Sequence, residues 1–290
     1  MAVKSVNITI VQNGLGTVPP GGGQTIGVVG VSSAGTANTC VQSSNPADFV
    51  TSAGYGSGIE AAGFVAHDAG NNVIFAKAAT VNAGTNSGIT HVGTGASVMS
   101  VTGTPLDTYY ILVTVTTGIA TVGTAGAILS VSLDAGRTTY STCTLGTGST
   151  YLIPNTGLTL NFTSASLVAL DTYSLVSIEP KWSTATLTSA CDALLASGLA
   201  FKNVLIVGDC ASGDVATVQT EMNTYFTKKQ FNRCFTNARD AIWGGTSTET
   251  ASVWKAAIIA DFISTSADCV SVAGGFHNIK LALYCFFTLR

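Results

Sequence analysis

Residues 25–31 read Thr-Ile-Gly-Val-Val-Gly-Val, and residues 72–78 read Asn-Val-Ile-Phe-Ala-Lys-Ala. Both are short apolar runs bounded by Gly, Ser or Asn, the pattern of strands buried on two faces. Between them, Pro46–Ser52 and Ile59–Ala69 carry helical spacing, and Pro46 suits a first turn, where its missing N–H costs nothing. Strand, helix, strand predicts a parallel α/β layer. The same rhythm returns after Pro180. Leu187–Ser197 is predicted as a helix and Asn203–Val207 as a buried strand. Ser212 or Asp214 then caps a helix with Val215, Val218, Met222 and Phe226 on one stripe. Cys234–Thr236 reads as a short strand, and Thr248 caps a helix carrying Trp254, Ile258 and Phe262. Cys269–Ala273 is a last strand, ending at Gly274-Gly275.

Residues 90–180 break this rhythm. They are rich in Thr, Gly and Val, with turn signals every ten or so residues. Tyr109–Thr116, Ala127–Leu133, Leu158–Phe162 and Thr172–Ile178 read as strands, and Asp134-Ala135-Gly136 as a turn. The triplet Asp-Thr-Tyr leads into a strand at both 107–109 and 171–173. The stretch is expected to be an all-β sandwich inserted into the α/β unit. At the other end of the chain, residues 3–11 alternate, with Val6, Ile8 and Ile10 on one side and Ser5, Asn7 and Thr9 on the other. Asn13 to Gly23 follows with five glycines and two prolines, a tether without regular structure. The expected class is therefore α/β (α+β). Residues 1–23 form an arm and linker, 24–89 plus 181–290 a discontinuous core domain, and 90–180 an inserted β-sandwich domain.

Composition narrows the function. Only 9% of the 290 residues are charged, against roughly 25% in an average chain. Hydrophobic residues make up 46%, and mean hydropathy is +0.43. No uncharged apolar run approaches the roughly 18–20 residues of a spanning helix, and Leu281–Phe287 is far too short. The N-terminus has no signal-peptide core, so the product is expected to stay in the cytoplasm of the cell that makes it. So little charge is easiest to understand if much of the surface is buried against other copies. A net charge of −3, with no basic cluster beyond Lys228-Lys229, argues against nucleic acid. The seven cysteines are odd in number and contain no C-x-x-C, which disfavours a disulfide framework or a zinc knuckle.

No catalytic constellation is legible. His67, His91 and His277 lie in different segments without a neighbouring ligand, so no metal site is expected. Gly56-Ser57-Gly58-Ile59-Glu60-Ala61 is a loose dinucleotide fingerprint, but a helix precedes it where a strand is required, and a plain helix start is the better reading. Asp209, after Leu205-Ile206-Val207-Gly208, stands where α/β enzymes place acids, yet it has no partner in sequence and reads as a loop residue. Arg239-Asp240 with Trp243-Gly244-Gly245 reads as a structural ion pair. No nucleophile elbow and no P-loop occur. No cofactor is expected, and the chain is read as no enzyme.

Gln24–Gly35, an apolar strand with a Gly-rich turn, resembles the opening of phage contractile-tail sheath proteins. Asn45–Phe49 followed by Ser52–Gly56 resembles the next landmark of that family, and Val73–Lys77 the strand after it. The segments Ser132–Gly136, Gly157–Phe162 and Asp171–Ser174 are similar to β-domains carried by such sheaths. Arg239-Asp240, Trp254–Ala257 and Val272–Gly275 also fit the pattern. The family runs on into an Arg-Pro region and a C-terminal domain with an exchanged arm, whereas this sequence ends at Arg290. The resemblance implies a sheath-type core and a helical homopolymer around a tail tube, with tube, baseplate and tail-terminator proteins as partners. It implies assembly in the host bacterial cytoplasm, residence in the virion tail, and arms that add strands to neighbouring subunits. Here Val6, Ile8 and Ile10 would carry that strand exchange. The competing expectation is a decoration or glycan-binding module presenting Tyr109, Tyr110 and Tyr151 on the sandwich. An α/β hydrolase or transferase built on Asp209 is the third.

Overall fold

The computed structural model describes residues 25–68, 72–228, 232–239 and 249–273. The arm with Val6, Ile8 and Ile10, its linker, Asp240, the Trp243 loop, Gly274-Gly275, His277 and Leu281–Phe287 lie outside the described residues.

The chain opens with β1 (Ile26–Gly30), β2 (Cys40–Ser43), α1 (Pro46–Ala53), α2 (Ser57–Asp68) and β3 (Val73–Lys77). Ten short strands follow: β4 (Thr80–Asn82), β5 (Thr85–Asn86), β6 (Thr90–Val92), β7 (Met99–Gly103), β8 (Tyr110–Thr117), β9 (Ala127–Ser132), β10 (Ser141–Leu145), β11 (Thr150–Ile153), β12 (Leu158–Phe162) and β13 (Thr172–Ile178). After β14 (Lys181–Trp182) come α3 (Thr184–Ala196), β15 (Asn203–Asp209), α4 (Ser212–Thr227), β16 (Arg233–Asn237), α5 (Ala251–Phe262) and β17 (Val270–Ala273). The class is mixed α/β.

One sheet runs β17-β16-β15-β1-β3-β2. All its pairings are parallel except β2 with β3, which is antiparallel. β2 has only four residues and no apolar run, so nothing in its sequence announced a strand. The two faces of β1 are separated by the pleat. Val28 packs with Phe49, Ile59 and Ala62 from α1 and α2. Val29 packs with Leu187, Leu194 and Val215 from α3 and α4. A sheet covered on both faces needs apolar residues at consecutive positions, which is why these strands read as continuous runs. Gly30 and Gly58 let α2 lie directly on β1. A Cβ on Gly30 would stand 2.8 Å from the Gly58 Cα, and one on Gly58 would stand 2.8 Å from the Val31 carbonyl oxygen.

Three local expectations are corrected. Phe226 is 58% exposed and Tyr225 takes its place on the buried face of α4. The spacing 215, 218, 222, 225 holds the helical period, and one further residue turns about 100° away. α4 is capped by neither Ser212 nor Asp214 as first residue. Its N-cap is Ala211, whose N–H donates to the Asp214 carboxylate at 3.1 Å. The cap of α5 is Thr250 rather than Thr248, its hydroxyl accepting from the Val253 N–H.

Between β4 and β14 the chain builds two further sheets. One runs β10-β9-β8-β13-β5, with β6 also on β13, and the other β11-β12-β7. They share a core of their own, with Ile111, Val113, Leu129, Leu158, Leu160 and Tyr173 among its members. The turn at Asp134 places Ala135 and Gly136 at φ 60° and 89°. The Asp134 carboxylate accepts from the Ser132 and Thr138 hydroxyls and from the Thr138 N–H.

The chain enters and leaves this β region through β4 and β14, which pair antiparallel with each other. The joint is anchored from the core. The Trp182 ring is buried, and its Nε1–H donates to the Val207 carbonyl at 2.8 Å beside Gly208, whose φ is 114°. The Lys181 ammonium lies 4.9 Å above that ring and 3.3 Å from Asp214, which also accepts from the Thr184 hydroxyl.

Candidate assembly surface

The positions singled out by sequence do not converge. Asp209 is not in a loop but is the last residue of β15. Arg239 makes a bidentate pair with Glu249, both N–O distances 2.8 Å, and its carbonyl accepts from Trp254 Nε1–H. The pair therefore braces the start of α5. The glycines of the loose fingerprint serve packing. The space that a Cβ on Gly58 would take is occupied by the Val31 carbonyl and the Phe75 ring, where a dinucleotide site needs room for phosphate.

The fold does bring together one acid and one histidine that sequence distance hid. Asp171 is 3% exposed and lies 3.6 Å from His91 Nε2. His91 stacks on Tyr173, centroids 4.3 Å apart. The carboxylate accepts from the N–H groups of Thr94, Gly95 and Val168. Burial pushes its pKa up, but these three donors and His91 outweigh burial and hold it below the ordinary carboxylate value. This is a clasp on the loop between β6 and β7. Among the described residues, no group of three or more His, Cys, Asp or Glu could hold a metal ion.

The tyrosines of the glycan-platform reading are all half-buried, and Tyr109 and Tyr151 pack against the sandwich core. Burial drives the Tyr109 hydroxyl pKa well above its usual value.

What the surface does offer is edges. Among the described residues, and apart from β6 and the β4–β14 ribbon, whose β14 carries Lys181, the large sheet ends at β2 and β17 and the two sheets of the β region at β10, β5, β11 and β7. Their sequences are CVQS, VSVA, STCTL, TN, TYLI and MSVTG. None contains Lys, Arg, Asp, Glu or Pro, the residues with which monomeric proteins protect an edge from pairing. Large apolar side chains are exposed at two of these edges, Leu152 on β11 and Val98 next to β7. No helix among the described residues is long and apolar enough to cross a membrane.

No curated protein sequence matches the chain. Among solved structures it is similar to a sheath tail protein from Listeria innocua, at 12% identity and a TM-score of 0.31. That match covers 74% of this chain and 47% of the other, so the chain spans less than half the length of that protein. The family model described as DUF2586, N-terminal domain, matches residues 3–285. With that span running almost end to end, the chain belongs to the DUF2586 family.

Proposed function

We propose that this chain is the structural subunit of a phage contractile tail sheath. It polymerises helically around a tail tube, meets baseplate and terminator proteins at the ends, and contracts to drive the tube through the host envelope. It is not an enzyme and works without a cofactor. The observation that carries the reading is the run of sheet edges free of charge and proline. Such edges are templates for another chain's backbone and a liability unless they are used. The 9% charge content points the same way, since copies meet without burying unpaired ions. Residues 3–11, presenting Val6, Ile8 and Ile10, supply the exchanged strand. The alternative, a glycan- or host-binding module, would need an exposed aromatic platform, and the three tyrosines considered for it are half-buried.

Sedimentation velocity and electron microscopy of the purified chain, alone and with tube protein, test the reading. Tubes, rings or a concentration-dependent polymer are expected. A stable monomer at every concentration and salt level overturns it.

A further inference from the structure

Glu221 of α4 is 8% exposed, yet among the described residues its carboxylate accepts no hydrogen bond and forms no ion pair. The other buried carboxylates are satisfied. Asp107 accepts from the Thr108 N–H, Asp171 from three backbone N–H groups, and Asp214 from Lys181, Thr184 and Ala211. One turn beyond Glu221, the Tyr225 hydroxyl donates to the Cys191 carbonyl, which holds that face of α4 against α3. There the charge acting on Glu221 is that of Asp192, exposed on α3 and of the same sign. Burial, and then Asp192, raise the Glu221 pKa above its ordinary value. A buried carboxylate with no donor and a like charge beside it is costly unless a cation covers it.

Cations without partners gather at one end of the parallel sheet. Lys202 precedes β15, and Arg233 opens β16 beside it, its N–H donating to the Lys202 carbonyl at 3.2 Å. Lys228 caps the end of α4, which leads into β16. All three side chains are exposed and form no ion pair among the described residues. By contrast, the Lys77 ammonium donates to the Ala34 and Gly35 carbonyls, Lys181 is paired with Asp214, and Arg239 with Glu249. The Lys202 N–H donates in turn to the Thr25 carbonyl at 3.1 Å. Thr25 is where the described chain begins, so a neighbour that takes residues 3–11 is tethered to this basic end.

We infer that the Lys202, Lys228 and Arg233 patch of one copy docks on the Asp192–Glu221 pair between α3 and α4 of another. The partner's cations supply the counter-charge that Glu221 lacks among the described residues of its own chain. The long stems of Lys and Arg suit a carboxylate set back from the surface. A pair closed off from water in this way contributes more than the same charges left exposed. The inference rests on the self-assembly reading and adds to it a contact that needs no strand pairing.

The test uses the full chain. Glu221→Gln removes the charge and keeps the shape. As a dilute monomer it should melt no lower than the parent, yet in sedimentation velocity it should associate about 10-fold more weakly or worse. A lower melting temperature would give Glu221 a partner in its own chain and overturn the inference. Two charge-reversed variants test the pairing itself, one carrying Asp192→Lys with Glu221→Gln, the other Lys202→Glu with Arg233→Glu. Each alone sets like charges face to face and should associate at least about 10-fold more weakly. An equimolar mixture should recover the parent's association, because each variant then meets opposite charge at both surfaces. Association like the parent's by any one variant alone would overturn the contact and leave self-assembly standing, as would a mixture no stronger than its parts. A parent that never associates would sink the self-assembly reading itself.

Discussion

Trp182 donates its indole N–H to the Val207 carbonyl at 2.8 Å, so the strand leaving the sandwich is fastened to the middle of the parallel sheet. Trp182→Phe keeps an aromatic ring but leaves that carbonyl without the indole donor, and should cost about 1–3 kcal/mol. Trp182→Ala also empties the ring's site and should cost about 3–5 kcal/mol. Equilibrium urea unfolding checks both, and a Trp182→Phe variant as stable as the parent would show that the hydrogen bond contributes nothing.

Asp171 and Asp134 give the fold an acid limit. Both carboxyls titrate in the folded chain below their ordinary value of 3.8, Asp134 at about 2. For Asp134 burial acts upward, and the Ser132 and Thr138 donors outweigh it. A depressed folded pKa means stabilisation that is fully present above pH 3.8 and lost as pH falls through the folded value. For Asp134 that window runs from 3.8 down to about 2. Asp134→Asn and Asp171→Asn should each flatten the fall in the urea midpoint over acid pH, while near neutrality both are less stable than the parent. An unchanged acid slope would refute the assignment.

The strand-exchange proposal predicts a separation of folding from assembly. Pro at Ile8 removes one ladder donor, and Lys at Val6 and Ile10 puts charge on the apolar side. The triple variant should keep the parent's circular dichroism and melting temperature yet fail to polymerise. Equal loss of both would place residues 3–11 inside their own subunit.

Gln42 is the exposed residue of the edge strand β2. Gln42→Lys should blunt that edge against strand addition while changing monomer stability by no more than about 0.5 kcal/mol. Light scattering of assembling protein reads the effect, and unchanged assembly would exclude β2 as an acceptor edge.

Cys191 on α3, Cys210 and Cys234 are buried in one core cluster. Burial pushes the Cys210 thiol up to about 12 and raises the other two well above the ordinary value. These three should resist a thiol reagent at mild alkaline pH until the chain unfolds, whereas Cys269, half-buried, should label in the native state. Mass-spectrometric mapping separates the sites, and early labelling of Cys210 would contradict its placement.

The parallel sheet was legible because burial on both faces leaves strands such as Ile26–Gly30 and Val73–Lys77 as unbroken apolar runs. The strands β8, β9, β12 and β13 were legible as Val-, Leu- and Ile-bearing runs between regularly spaced turn signals. The strands that escaped, β2, β5, β6, β7, β10 and β11, are short and Thr- or Ser-rich, and local sequence hardly separates them from loops. Two of the polar contacts were invisible for another reason: His91 and Asp171 are 80 positions apart, and Lys181 and Asp214 are 33 apart. Only the tertiary path brings them together. The Arg239–Glu249 pair was missed because the adjacent Asp240 offered a nearer partner in sequence.

The antiparallel pairing of β4 with β14 sets how the molecule carries load. Entry and exit of the β region sit side by side, so a pull on that region arrives at both crossings together and peels them from the same end. Hydrogen bonds opened one after another yield at lower force than bonds sheared all at once. The short ribbon would therefore give first, were Trp182 not seated behind it. With the indole held at Val207, the force passes along β15 into the parallel sheet, whose strands resist in shear. A pull on the β region is thus delivered to β15, an inner strand of the parallel sheet, rather than to its rim.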